Sequence, residues 1–239
     1  MKLKPFAVDL HIHSCLSPCG DVDMTPNNIV NMAVLKGLDV IAVADHNSAK
    51  NLPAVQKVAK AAGIGLLPAI EVNTKEEIHA LAYFDKVEKA MQLDEIIYAS
   101  LPEIVNDEKY FGAQNILDQD DEIIGNVRKL LISAADISIS DLQKICTEIG
   151  GVVVPAHLDR KSFSLVSNLG FIPHDMDIKY VELSRRYKLG ENLLLDKMIQ
   201  KYKTIRSSDA HYLHDIFERE FFMHLDEPSA SCIIEKLRV

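Results

Sequence analysis

The chain of 239 residues is long enough to form one domain with a sizeable hydrophobic core, because single α/β barrels reach this length. Hydrophobic residues make up 48% and charged residues 26% of the sequence, a balance that excludes the disordered and fibrous classes of protein. The net charge of -9 argues against broad attraction to nucleic acid, so contact with a polyanion would need a local site or a bound metal.

The N-terminal segment and the cysteines indicate a cellular compartment. The first apolar run is short and is interrupted by Asp9 and His11, so it predicts neither a signal peptide nor a membrane span. Four cysteines are sparse for this length and do not suggest a disulfide framework. We therefore expect a cytoplasmic protein with free thiols and no membrane contact.

Short apolar, β-branched runs alternate with helical patterns along the chain. The predicted strands are 6–10, 40–44, 66–72, 78–84, 152–155, 180–183 and 204–205. The predicted helices are 26–36 with Thr25 as N-cap, 52–62, 141–149 with Ser140 as N-cap, and 193–202. Strands that are apolar on both faces and alternate with helices indicate a parallel sheet covered by helices, either a barrel or a doubly wound sheet.

Residues 85–136 interrupt this alternation. They combine a helical pattern over 86–99, a polar stretch over 106–121 and a second apolar segment over 123–132. We predict a mostly helical insertion. Long insertions of this kind often act as lids or binding elements, and a segment that only packs against the domain is the alternative.

Metal-binding residue types stand at the ends of five apolar runs. These residues are His11 and His13, Asp45 and His46, Glu71, His157, and Asp209 and His211. Because the carboxyl ends of parallel strands meet at one edge, we expect the side chains to share a cleft. His79 lies inside a run and needs a strand beside Glu71 to join them. Imidazoles with carboxylates suit Zn, Mn or Fe, and the two residues preceding ligands, Asp9 and Asp45, are expected to support imidazoles from behind.

The motifs DLHIHS, ADHN, AIEVN, His79, PAH and SSDAH, in this order, resemble the PHP (polymerase and histidinol phosphatase) family of phosphoesterases. The resemblance spans residues 9–211. It implies an α/β fold, specifically a distorted (β/α)7 TIM-like barrel formed by a single PHP domain over residues 1–239, with the insertion at about 85–136. It also implies about two to three divalent transition metals, Zn, Mn or Fe, at the barrel mouth.

The resemblance further implies how the ligands are divided among the metals. One ion would bind His11, His13, Glu71 and Asp209, a second would bind Glu71 as a bridge with His79 and His157, and a third would bind His46, His211 and one further residue. That further residue is Asp21 or Cys19. Asp21 is preferred, because a thiolate is a soft donor in an otherwise hard site.

Three arginines are candidates for binding substrate phosphate. Arg160 follows His157 by three residues, and Arg185 and Arg186 follow the predicted strand 180–183. Guanidinium groups match phosphate oxygens with paired hydrogen bonds. Exposed salt bridges are the alternative interpretation.

The predicted activity is hydrolysis of a phosphoester by a water or hydroxide that bridges two metals. Glu71, His46, His211 and Arg160 are the candidate catalytic residues, and Arg160 would neutralise charge on the phosphate. The first candidate substrate is a small phosphorylated molecule such as a nucleotide or a nucleoside bisphosphate.

Two other functions stay open. The stretches NDEKYFGAQ, DDEIIG, LLISAADISI and PAHLDR resemble the PHP portion of the endonuclease Q group, which predicts a nuclease acting on DNA or RNA. In this interpretation a short nucleic-acid end could be the substrate. The remaining alternative is a non-catalytic, metal-binding regulatory domain.

Overall fold

The computed structural model describes residues 3–173 and 176–239. The strands are β1 (Lys4–Ile12), β2 (Val40–Val43), β3 (Gly65–Leu66), β4 (Ala69–Asn73), β5 (His79–Tyr83), β6 (Asn115–Leu117), β7 (Ile123–Asn126), β8 (Val152–Pro155), β9 (Tyr180–Ser184), β10 (Lys203–Ser207) and β11 (Phe222–Leu225). The helices are α1 (Pro26–Leu35), α2 (Leu52–Ala62), α3 (Val87–Ser100), α4 (Glu108–Phe111), α5 (Ile139–Ile149), α6 (Leu165–Leu169), α7 (Leu193–Ile199) and α8 (Ala230–Leu237). Within the described ranges, no helix is long and apolar enough to span a bilayer.

The core strands form three sheets with mixed strand directions. β1 pairs in parallel with β2, β2 pairs in parallel with β3, and β11 adds to β1 in the antiparallel direction. β9 and β10 are parallel, whereas β4, β5 and β8 form an antiparallel sheet. The expectation of an all-parallel sheet is therefore wrong for β5. Residues 74–78 between β4 and β5 are too few for the crossover connection that parallel pairing requires.

Isolated contacts connect the three sheets. Ile12 bridges Ala210, and His46 bridges Glu71. The amide of Leu158 donates to the carbonyl of Glu182 at 2.8 Å. Continuous ladders do not close these sheets into one barrel in the described part of the chain, so the fold is mixed α/β and the predicted barrel is not confirmed.

Local sequence chemistry sets the helix ends. Thr25 caps α1 by accepting from the amide of Asn28, as predicted, and Gly63 ends α2 in the left-handed conformation, with φ of 74°. The prediction of Ser140 as the cap of α5 is wrong. Ser138 is the cap, because its hydroxyl lies three residues before Asp141 and accepts from that amide. α7 ends at residue 199, before the predicted end at 202.

The segment 85–136 divides into two parts. Helix α3 buries Val87, Leu93 and Ile97 in the main hydrophobic core, so it packs as an ordinary helix of the domain. The later part contains the short α4 and the β6–β7 hairpin, so it is not a helical appendage. Asp121 of the hairpin accepts from Thr25 Oγ1 at 2.6 Å, which attaches the hairpin to the loop after β1.

Candidate metal centre

The carboxylate of Glu71, in the middle of β4, lies at the centre of a group of histidines. It is 1% exposed, and each of its oxygens faces more than one imidazole. Its contacts are Oε1 with His11 Nε2 (3.3 Å), His79 Nδ1 (3.1 Å) and His157 Nε2 (3.2 Å), and Oε2 with His13 Nε2 (3.4 Å) and His46 Nδ1 (2.9 Å). These residues come from five separate segments, and the structure brings them together at one edge of the fold.

The position of His79 depends on the antiparallel pairing of β5 with β4. Asn73, at the end of β4, lies opposite His79, at the start of β5. An antiparallel neighbour begins where its partner ends, so His79 reaches the same edge as Glu71. The strand that the sequence required beside Glu71 is therefore present.

Asp209 extends the cluster on the side of β1. Its Oδ1 lies 3.1 Å from His13 Nε2 and 3.4 Å from His11 Nε2. The ring of His211 stacks on the ring of His13, with centroids 4.2 Å apart. Three overlapping groups place their ligand atoms within 4.8 Å of one another; they are His11, His13 and Glu71; His46, Glu71 and His79; and His13, His46 and His211.

Buried acidic side chains support the imidazoles, directly or through Ser17, at the ring nitrogens that point away from the centre of the cluster. Both carboxylate oxygens of Glu182 lie near His11 Nδ1, at 3.2 and 3.1 Å, and Oε2 also accepts from the amide of His157. Sequence reasoning missed Glu182, although an acidic residue inside an apolar strand was a signal for it. Asp45 supports His13 indirectly, because the Ser17 hydroxyl contacts both Asp45 and His13 Nδ1. Asp9, in contrast, accepts from backbone amides and not from an imidazole.

This network directs lone pairs into the centre of the cluster. Ser17 Oγ donates to Asp45 Oδ1 at 2.7 Å, so it accepts the proton of His13 Nδ1 and leaves a lone pair on Nε2. That atom lies 3.2 Å from His11 Nε2 and 3.1 Å from Asp209 Oδ1. Converging lone pairs in a buried site attract a cation, and this mixture of imidazoles and carboxylates fits divalent transition metals.

The pKa values reflect the same concentration of negative charge. Burial alone would raise the pKa of Glu71, but the charges of the surrounding histidines outweigh it and hold the pKa well below its usual value. Burial alone would lower the pKa of His46, but the charge of Glu71 outweighs it and raises the pKa to about 10. The field that favours a proton on His46 also favours a divalent cation, which would compete with protons for these atoms.

Which residue completes the third group, Asp21 or Cys19, stays a prediction. The Cys19 thiol lies beside His211 and His46; burial raises its pKa, but hydrogen bonds to these two rings outweigh burial and lower it to about 7. The Asp21 carboxylate instead accepts from the amide of Asp23 at 3.0 Å. The amide of Asp21 also donates to the carbonyl of His211 at 2.9 Å, so both Cys19 and Asp21 adjoin the third group.

Backbone strain is concentrated around the site. Asn47, His157, Phe163 and Asp209 have positive φ values of 52°, 28°, 55° and 52°. Left-handed conformations of non-glycine residues cost roughly 1–3 kcal/mol each and persist only where surrounding contacts fix them. All four residues belong to or adjoin the segments that carry cluster side chains, so the site is held in a defined geometry.

The three predicted phosphate-binding arginines line one cleft of about 590 Å³ beside the cluster. Arg160 forms an ion pair with Asp209, and its side chain is 46% exposed. Arg185 packs over the ring of Phe217 and pairs with Glu220. Arg186 lies on the same cleft. The cleft thus joins guanidinium groups to the edge of the candidate metal centre.

A family model described as the PHP domain matches residues 9–215, which include the whole cluster. The chain belongs to the PHP domain family. This membership and the clustered histidines and carboxylates agree with the resemblance seen in the sequence, and they support a metal-dependent hydrolase.

Solved structures similar to this PHP domain share its fold. The lesion-specific endonuclease Q from Pyrococcus furiosus matches with a TM-score of 0.69 and 19% identity, covering 98% of this chain and 56% of that chain. Endonuclease Q has also been solved with a 27-mer duplex substrate carrying an abasic lesion at the active site. A protein from Bacteroides vulgatus that contains a predicted PHP-like metal-dependent phosphoesterase matches with a TM-score of 0.58 and 18% identity, covering 99% and 63% of the two chains.

Among curated proteins, a 5'-3' exoribonuclease from Haemophilus influenzae is 33% identical over 87 residues, which cover 35% of this chain and 31% of the relative. The PHP domain described here therefore spans less than a third of that exoribonuclease and little more than half of endonuclease Q.

Proposed function

We propose that this PHP domain hydrolyses phosphate esters of small molecules such as nucleotides or nucleoside bisphosphates. The observation that supports this size of substrate is the arginine cleft beside Asp209, which offers guanidinium groups for one or two phosphates. A protein that follows a nucleic-acid backbone typically neutralises ~6 to 10 phosphates. The net charge of -9 opposes such an extended contact.

The proposed cofactors are about two to three divalent ions of Zn, Mn or Fe. The proposed ligand sets are His11, His13, Glu71 and Asp209; Glu71, His79 and His157; and His46 and His211 with Cys19 or Asp21. Elemental analysis after reconstitution with each metal tests this assignment. Less than one ion per chain in every case would contradict it.

When bound, divalent metals supply Lewis acidity, which lowers the pKa of water and offsets the charge of phosphate oxygens. Arg160 would exchange its contact with Asp209 for the non-bridging oxygens of the substrate. His211 Nδ1 lies 2.9 Å from the carbonyl of Asp209 and donates to it, so Nε2 is its one free ring atom, which would bind the third metal or, in a site with only two metals, hold a proton for the leaving oxygen. Glu71 and His46 would fix the geometry at the centre of the site.

Steady-state kinetics with small esters and with DNA tests the substrate class. We expect a higher kcat/KM for a nucleoside bisphosphate or a mononucleotide than for duplex DNA cleaved at an internal site. The assays should be run at several salt concentrations, because binding through many phosphates weakens steeply with salt. Turnover of small esters with weak salt dependence would support the proposal.

A nuclease is the second candidate, favoured by the similarity of the whole chain to endonuclease Q. Efficient internal cleavage of duplex DNA, with steep salt dependence and no turnover of small esters, would establish this function instead.

Three wider expectations stay proposals. The first is that the sheets form a distorted (β/α)7 barrel, which the isolated bridges from Ile12 to Ala210 and from His46 to Glu71 support. The second is that residues 1–239 form a single domain. The third is a cytoplasmic location.

A further inference from the structure

We propose that Phe163 is a stacking platform for a planar aromatic group of the substrate, such as a nucleobase. This inference rests on the proposed hydrolysis of small phosphate esters and narrows the class of ester. It assigns a binding role to a residue outside the cluster of candidate ligands and outside the arginine cleft.

The position of Phe163 places its ring next to the reaction site. The ring stacks on His79, with centroids 4.8 Å apart and an angle of 25° between the planes. His79 Nδ1 in turn lies 3.1 Å from Glu71 Oε1. Only one imidazole therefore separates the phenyl ring from the central carboxylate, and a group stacked on Phe163 would remain close to a phosphate at the cluster.

The exposure of Phe163 indicates an open aromatic surface. The residue is 42% exposed although His79 covers one face of its ring. Phe217, which packs under Arg185, is 1% exposed. Exposure alone does not distinguish Phe163, since Phe171 is 55% exposed; what distinguishes Phe163 is that its exposed ring is also stacked on His79 of the cluster. A flat ligand would cover that surface.

The backbone holds this exposed ring in place. Phe163 has a φ of 55°, which is unusual for a bulky residue, and its carbonyl accepts from the amide of His79 at 2.8 Å. The next residue, Ser164, caps α6 and also donates to the carbonyl of Arg160 at 2.9 Å. The loop is thus tied at both ends, and strain at an exposed position beside a site is typical of a functional constraint.

The same loop carries Arg160 and Phe163, three residues apart. Arg160 contacts Asp209, and Phe163 contacts His79, so the loop touches the cluster at two places. A nucleotide has a charged phosphate and a flat base joined by a sugar. The loop offers one side chain suited to each part: a guanidinium for the phosphate and an aromatic face for the base.

The experiment compares two ligands that differ only in the base. They are the phosphonate analogues of adenosine 5'-monophosphate and of ribose 5-phosphate, in which a methylene group replaces the ester oxygen and prevents hydrolysis. Calorimetric titration of the metal-reconstituted protein gives both dissociation constants. We expect the parent protein to bind the adenosine analogue about tenfold more tightly, the size expected from stacking of one base.

Variants locate the source of this preference. Phe163→Leu keeps an apolar contact with His79 but removes the aromatic face, so we expect the preference to fall to within about twofold. Phe163→Tyr should retain it. Phe171→Leu is the matched control, because Phe171 is 55% exposed and lies outside the cluster; this variant should behave like the parent.

Two results would overturn the inference: no preference in the parent, or an unchanged preference in Phe163→Leu. Equal weakening of both analogues by that variant is a case of the second result, and it would mean that Phe163 only orients His79. Hydrolysis of the corresponding esters is assayed separately. A parent that prefers the adenosine analogue but hydrolyses no ester would contradict the proposed function and leave the stacking platform in place.

Discussion

The cluster around Glu71 and the neighbouring arginine cleft hold their side chains in different ways. In the cluster, His11 and His13 are fully buried, and each has a second partner behind it, Glu182 and Ser17 respectively. In the cleft, the side chains of Arg160 and Arg185 are 46% and 43% exposed, and each is paired with one carboxylate.

This difference indicates separate tasks. Buried polar groups with several partners keep one geometry, as a metal site requires, because every alternative position would leave a hydrogen bond unmade. An ion pair that is exposed on both sides, such as Arg185 with Glu220, contributes only about 0–1 kcal/mol, so Arg185 can leave its carboxylate at little cost. Arg160 pairs with the buried Asp209, so it would leave that carboxylate only in exchange for a substrate phosphate. The cluster is therefore preorganised, and the cleft can adapt to a ligand.

The largest effect should come from the centre of the cluster. Glu71→Gln keeps the side-chain volume but replaces the anionic oxygens that face the imidazoles. We expect loss of bound metal and a decrease in kcat/KM of at least about 10²-fold, the scale of losing one electrostatic contact in an active site. Glu95→Gln, on the exposed face of α3, is the control. Activity within about threefold of the parent would contradict the central role of Glu71.

A smaller effect should come from the support behind the imidazoles. Glu182→Gln removes the negative charge beside His11 Nδ1 while keeping an oxygen for the amide of His157. We expect metal affinity to fall about 10–100-fold. Titration against a chelator of known affinity measures it, with exposed Glu148→Gln as the control. An unchanged affinity would show that Glu182 only serves packing.

The cleft should give effects on substrate binding and not on metal content. Arg160→Ala removes the guanidinium nearest the cluster, and we expect KM for a small phosphoester to rise about tenfold, as for loss of a charge-assisted hydrogen bond. Arg185→Ala should change KM by less than about threefold, since Arg185 contacts Glu220 and Phe217 and not a residue of the cluster. Kinetics on both variants test this order, and a larger effect at Arg185 would reverse the assignment.

An ion pair outside the cluster and the cleft shows how much a partly exposed pair of charges contributes to the stability of the fold. Asp85 Oδ1 lies 2.8 Å from Lys89 Nζ; slight burial raises the pKa of Asp85, but the hydrogen bond and charge of Lys89 outweigh it and lower the pKa. A lowered folded-state pKa stabilises the fold above the unfolded value of about 3.9, and this contribution disappears as pH falls through the folded value.

We therefore expect Asp85→Asn to reduce the free energy of unfolding by about 0.3–0.5 kcal/mol at neutral pH. At a pH where the carboxyl group is protonated, the variant and the parent should be equally stable. Urea unfolding at the two pH values measures the difference. A loss above about 1 kcal/mol would place this pair outside the range of exposed ion pairs.

The amino-acid sequence by itself determined which histidines and carboxylates gather in one cluster. His11, His13, Glu71, His157 and Asp209 meet in the structure as their motifs predicted. The helix over 52–62 also has the predicted bounds. These features depend on local patterns, namely residue alternation along a strand and the turn and capping preferences of neighbouring residues, which a sequence displays directly.

Only the tertiary structure decided which distant residues support the site. Glu182 contacts His11 across 171 positions of the chain, and Phe163 stacks on His79. The tertiary structure also decided that β5 runs antiparallel to β4. Sequence patterns did not predict these contacts, because each contact depends on how separate segments of the chain pack together. It also depends on which polar side chains still need a hydrogen-bond partner after the segments have packed.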